Sequence, residues 1–194
     1  SHVPIDLIGL LAGKDVLVGA IDVADERVES AEDVARVIRS ALRFVPPDVL
    51  IDRYGADTAR LYVMFASPPT DTILWSDTSV EGSFRFLGRV WRLVMDYLED
   101  IQGIAPLAGP EELNEDLRKL RRKTHQTIRK VTTDIEDRFH FNTAVSAVME
   151  LVNLVYQMPR PEKVNKAALA VIKEAVETVV ILLAPIVHHI TKEL

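Results

Sequence analysis

The chain has 194 residues, enough for one domain or two small ones, and 48% of them are apolar, which supports a core and excludes a disordered chain. Cysteine is absent, which excludes disulfides and thiolate metal sites and suits a reducing compartment. The net charge of -6 argues against indiscriminate nucleic-acid binding, although it averages over local patches.

The opening SHVPIDLIGLL has neither a basic n-region nor a small-residue cleavage site, so no signal peptide is expected. No apolar run approaches the roughly 20 residues needed to cross a bilayer. The expectation is a cytoplasmic protein without a membrane partner. Residues 15–22, DVLVGAID, form an apolar run that fits a strand buried on both faces. Ser30 and Asp33 have capping-box spacing, and Val34, Ile38, Ala41, Leu42 and Val45 then recur at helical spacing up to Pro46-Pro47. Together they read as one βα unit. Residues 55–67 read as a helix with Asp57 in its first turn, and 68–79 as a loop with a short strand at Ile73–Trp75.

From Val80 onward only long helices are expected, over roughly 80–101, 111–138, 141–157 and 162–183. Pro185 breaks the last, and a further helical turn or more runs to Leu194. The links GIAPLAGP and MPRP are short and Pro-rich, so neighbouring helices should run antiparallel. The expected fold class is mainly α: an antiparallel helix bundle over 80–194 with a small N-terminal α/β piece over 1–79.

Helix 80–101 places Val80, Phe84, Leu87, Trp91, Val94, Leu98 and Ile101 on one face and Arg85, Arg89 and Arg92 opposite. In helix 111–138 the apolar face is Leu113, Leu117, Leu120, Thr124, Ile128, Val131 and Ile135. Arg118, Arg122, His125 and Arg129 form a stripe away from it, with Lys119, Lys123 and Lys130 alongside. No acidic residue occurs between 118 and 130. Glu111, Glu112, Glu115 and Asp116 suit the positive helix start, but Asp134, Glu136 and Asp137 do not suit the negative end, so the macrodipole does not explain the pattern. Two readings stand open: solvated faces balanced by i,i+4 pairs, or two stripes that track a phosphate backbone.

The nucleotide-binding, nucleophile-elbow and zinc-protease motifs are missing. His188 and His189 are adjacent and are not expected to share a face as metal ligands, so neither a metal site nor a cofactor is expected. His140, at a helix junction, is expected to have a local structural role, and Trp75 and Trp91 to be core. No small-molecule substrate is identified.

LIDRYGADTARLYVMFASPP, LWSDTSVEGSFRFLGRVWRLV and LRRKTHQTIRKVTTDIEDRFHFNTAVSAVMELVN, in that order, resemble bacterial leucyl-tRNA synthetase. The resemblance covers the stretch after the KMSKS loop and the helical anticodon-binding domain, and continues to LLAPIVHHITKEL. It implies a stem-contact segment followed by a helix bundle that supports tRNA through its backbone, without dependence on reading the anticodon. Leu74 stands where the family usually has Glu. The HIGH and KMSKS elements, which the resemblance ties to ATP and phosphoryl chemistry, are absent, so no enzymatic activity is expected. GKDVLVGAIDVADERVESAEDVARVIRSALRFVPPDVL instead resembles a βα unit of the cobalamin-independent methionine synthase barrel, without that family's zinc-binding Cys. The expectation is therefore a natural or engineered chimera with a seam near 46–54. Its partner would be tRNA or another structured RNA. The alternative is a designed or structural protein with no biochemical activity.

Overall fold

The computed structural model describes residues 47–66, 76–107, 109, 113–136 and 139–194. Among them there are helices and connecting segments and no strand. The helices are α1 (Pro47–Tyr54), α2 (Ala56–Ala66), α3 (Asp77–Ile101), α4 (Glu115–Glu136), α5 (Phe141–Gln157), α6 (Lys166–Leu183) and α7 (His188–Glu193). The mainly α fold class is as expected. The expected strands at 15–22 and 73–75 and the helix after Ser30 lie outside the described residues.

α1 is not among the expected helices, because Pro46-Pro47 signals a stop as readily as a start. Proline is also favoured at the first position of a helix, where its missing N–H costs nothing, and Asp48 follows in the first turn. Gly55 ends α1 at φ +84°, and its N–H donates to Ile51 O at 2.8 Å. Three side-chain caps set the later starts. Ser76 Oγ accepts from Ser79 N at 3.3 Å, Asn114 Oδ1 from Leu117 N at 2.9 Å, and Asn165 Oδ1 from Ala168 N at 3.0 Å. These caps begin α3 before Val80, and α4 and α6 after 111 and 162.

α4 packs on α5 and α6, which also pack on each other; α3 packs on the same two, and α2 packs on α3 and α5. Leu61, Val90, Leu120, Leu151, Val171 and Val179 are completely buried in the shared core. Each such side chain contributes about 1.5–3 kcal/mol of transfer free energy. Leu50, Tyr62 and Val80 form a second, smaller cluster joining α1, α2 and α3. α3 and α4 are consecutive but do not form a packed pair.

The buried face of α3 is turned from the expected one. Ser83, Phe86, Val90, Leu93 and Tyr97 are buried, together with Val80, Leu87, Val94 and Ile101. Phe84, Trp91 and Leu98 are 51%, 39% and 43% exposed. The apolar arc of α3 is too wide for period alone to fix its centre, and packing on α2, α5 and α6 decides which part of it is covered. On α4 the expected face holds, except that Ile128 is exposed and Thr127 is buried instead. No helix of the described residues is long and apolar enough to cross a membrane.

Candidate nucleic-acid interface

α4 sets the geometry of its basic residues through its buried side. Leu120, Thr124, Thr127 and Val131 face α5 and α6, which turns Arg118, Arg122, His125 and Arg129 to the outside. All four are exposed, as are Lys119 and Lys130, while Lys123 is half-buried. Their partners divide them. Lys123 Nζ reaches Glu150 of α5 at 2.6 Å, and His125 Nε2 lies 3.1 Å from Glu174 of α6. Lys130 holds the buried Asp134 at 2.9 Å. Arg118 donates from Nε to Leu113 O at 2.6 Å and is exposed. Lys119, Arg122 and Arg129 have no ion-pair partner among the described residues.

The flanking bonds have a structural use. Lys123 ties α4 to α5, and Arg121, which the sequence reading passed over, ties it to α6 through Glu174 at 3.2 Å. The cations nearest the helix packing are thus spent on neighbours, and the outermost ones are left facing solvent. Ion pairs and hydrogen bonds account for part of the stripe.

The α3 arginines behave differently. Arg85 pairs with Glu81 at 3.5 Å, one turn away. Arg89 donates to Asn153 Oδ1 at 2.7 Å and lies over the Tyr156 ring at 5.1 Å, so it fastens α3 to α5. Arg92 is exposed without an ion-pair partner among the described residues. α3 and α4 do not form a packed pair, so packing between these two helices does not join their basic stripes.

His140 has the expected junction role. It follows Phe139, which takes a left-handed φ of 52°, and its N–H donates to Asp134 O at 2.8 Å. Its carbonyl accepts from Thr143 Oγ1 at 3.0 Å and Ala144 N at 3.1 Å. Trp91 is not core, and Trp75 lies outside the described residues. His188 and His189 do not diverge: their ring centroids are 4.0 Å apart.

Residues 118–194 match the family described as the anticodon-binding domain of tRNA ligase. A leucine–tRNA ligase of Syntrophus aciditrophicus is 58% identical over 159 residues, 82% of this chain and 18% of that protein. One from Desulfatibacillum aliphaticivorans is 46% identical over 169 residues, 87% of this chain and 20% of that protein. The chain therefore spans about a fifth of the length of the curated relatives it matches. The fold is similar to a crystal structure of an Agrobacterium radiobacter K84 LeuRS–tRNA–LeuAMS ternary complex. The TM-score is 0.66 and the identity 33%, over 77% of this chain and 19% of that one. The matches are longer than Leu50–Leu194, so they run across the expected seam near 46–54. They give no support to a methionine-synthase piece or to a chimera. What the comparisons support is a resemblance to the anticodon-binding domain of leucine–tRNA ligases, which the family model matches over α4 to α7.

Proposed function

We propose that the chain is a non-catalytic, cytoplasmic helical module that supports tRNA through its phosphate backbone. The observation that carries this reading is the outer face of α4. Arg118, Lys119, Arg122 and Arg129 are exposed there and engage no acidic side chain among the described residues. A surface kept only for solubility would be expected to mix charge signs; this one concentrates one sign on an acidic protein. Phosphate oxygens are the partners such cations fit, arginine by paired donors and lysine as a point charge.

The similarity to leucine–tRNA ligases, one of them solved with tRNA, supports the choice of nucleic acid. Arg85 and Arg92 on α3 belong to a second, separate face in this proposal, and Arg89, Lys123, His125 and Lys130 act mainly by holding helices or loops together. Catalysis is assigned to none of these residues. The sequence lacks the HIGH and KMSKS elements that the resemblance ties to ATP and phosphoryl chemistry. Filter binding of folded tRNA to the wild-type chain and to an Arg122→Glu/Arg129→Glu variant tests the reading. The wild type should bind and the variant should not.

A further inference from the structure

One cluster of side chains remains outside this function. Asp57, in the first turn of α2, is 9% exposed. Its Oδ2 accepts from Ile190 N at 2.7 Å, which anchors α7 to α2 across the fold. Its Oδ1 is buried and accepts no hydrogen bond among the described residues. A buried carboxylate oxygen left in this state is costly, and it marks a place where a cation would be stabilised. The His188 and His189 rings converge on the same place. One donor atom from each of the three residues lies within 4.8 Å of the other two.

Arg60 is the cation nearest to them. Its Nη1 lies 3.6 Å from Asp57 Oδ1, 2.8 Å from His188 Nδ1 and 3.2 Å from His188 Nε2. A guanidinium only donates, so the His188 nitrogen facing it must offer a lone pair. The Arg60 side chain is 43% exposed and sits on the solvent side, so it is free to swing away. Beside the cluster an open groove of about 450 Å³, lined in part by Tyr54, Asp57, Phe84, Trp91 and His189, leaves room for a water molecule as a further ligand.

We infer that Asp57, His188 and His189 form a binding site for a divalent transition-metal ion of the zinc class, with Arg60 as the counter-cation when no metal is bound. Two imidazoles and one carboxylate are a donor set suited to such an ion, with a fourth position left for water. The ligands come from α2 and α7, so the bound ion would clamp the end of the described fold to its beginning.

Calorimetric titration of the tag-free, chelator-treated chain with zinc tests this, with cobalt as a spectroscopic probe of four-coordination. The wild type should take up one zinc ion and give the visible absorption of tetrahedral cobalt. His188→Gln and His189→Gln should each weaken binding by at least the roughly 10–100-fold seen when a mere supporting group is lost. Both rings are exposed, so these variants should keep the helical circular dichroism of the wild type. Arg60→Gln should tighten binding, because it removes a competing cation. Absence of saturable zinc binding, or equal binding by a His188→Gln/His189→Gln double variant, would overturn the site. Unchanged affinity in Arg60→Gln would overturn the role given to Arg60.

Discussion

Asp100 shows how a single carboxylate holds a linker to a helix. Its side chain on α3 is 4% exposed, and it receives Arg160 Nη2 at 2.7 Å and Lys163 Nζ at 3.2 Å from the segment joining α5 to α6. Arg160 also donates to Asp96 O at 2.6 Å and lies over the Tyr97 ring at 5.4 Å. The hydrogen bond from Arg160, then that from Lys163, holds the Asp100 carboxyl below the usual carboxylate range. An unfolded Asp titrates near 3.9, so the contribution to stability is complete above about pH 4 and is lost as the pH falls through the lower folded value. Asp100→Asn should lower the urea midpoint at neutral pH and lose less than the wild type between about pH 5 and pH 2. A parallel acid decline in both proteins would contradict the assignment. At Gly55 the backbone φ of +84° is the constraint, since nothing lies within 4 Å of the position a Cβ would take. Gly55→Ala should cost about 1–2 kcal/mol in chemical denaturation through strain alone. Little at this scale was legible beforehand. Asp100 was one acid among many, and neither Arg160 nor Lys163 shares a helix with it, so no spacing rule linked them. Asp57 was read as a helix-start residue, which it is; its contact with Ile190 needed the fold.

Element boundaries depend on caps whose signals are short. Asn165 Oδ1 meets Ala168 N at the start of α6, so Asn165→Ala should destabilise the chain by about 1 kcal/mol in thermal or urea unfolding. An unchanged midpoint would show that the cap contributes nothing. The helices at 141–157 and around 115–136 were readable from period because each has one buried stripe bounded by polar residues. α3 was readable as a helix but not in its orientation. Phe84, Trp91 and Leu98 repeat at seven-residue spacing as regularly as the buried Val80, Leu87 and Val94, and only packing on α2, α5 and α6 separates the two sets. The charge pattern of α4 was legible because its centre has no acids at all. Which of its cations are already engaged was not, because Glu150 and Glu174 come from α5 and α6. Arg122→Glu and Arg129→Glu are surface changes remote from the buried face and should alter stability by no more than about 0.5 kcal/mol each, measured by urea unfolding.

At the scale of the whole molecule, the arrangement of helices decides how much surface an RNA partner would find. Consecutive stripes on α3 and α4 suggest one broad basic surface, but the two helices do not form a packed pair. The proposal therefore rests on one helix and not on two. The expected change of family near 46–54 finds no support in the comparisons, and in the fold α1 starts at Pro47 and Leu50 packs on Tyr62 and Val80. A single outer face also bounds the electrostatics. Engaging about three or four cations gives a slope of roughly -2 to -4 in log K against log salt, weaker than two merged stripes would give. The net charge of -6 adds repulsion at long range, which salt screens beyond about 10 Å at 0.1 M. The central claim is that the outer face of α4 holds an RNA backbone. Its most direct measurement is filter binding of folded tRNA at several salt concentrations to the wild-type chain and to Arg122→Glu/Arg129→Glu. The account predicts binding by the wild type with a slope in that range and its loss in a variant that remains folded. No binding by the wild type at low salt, or equal binding by both proteins, would contradict it.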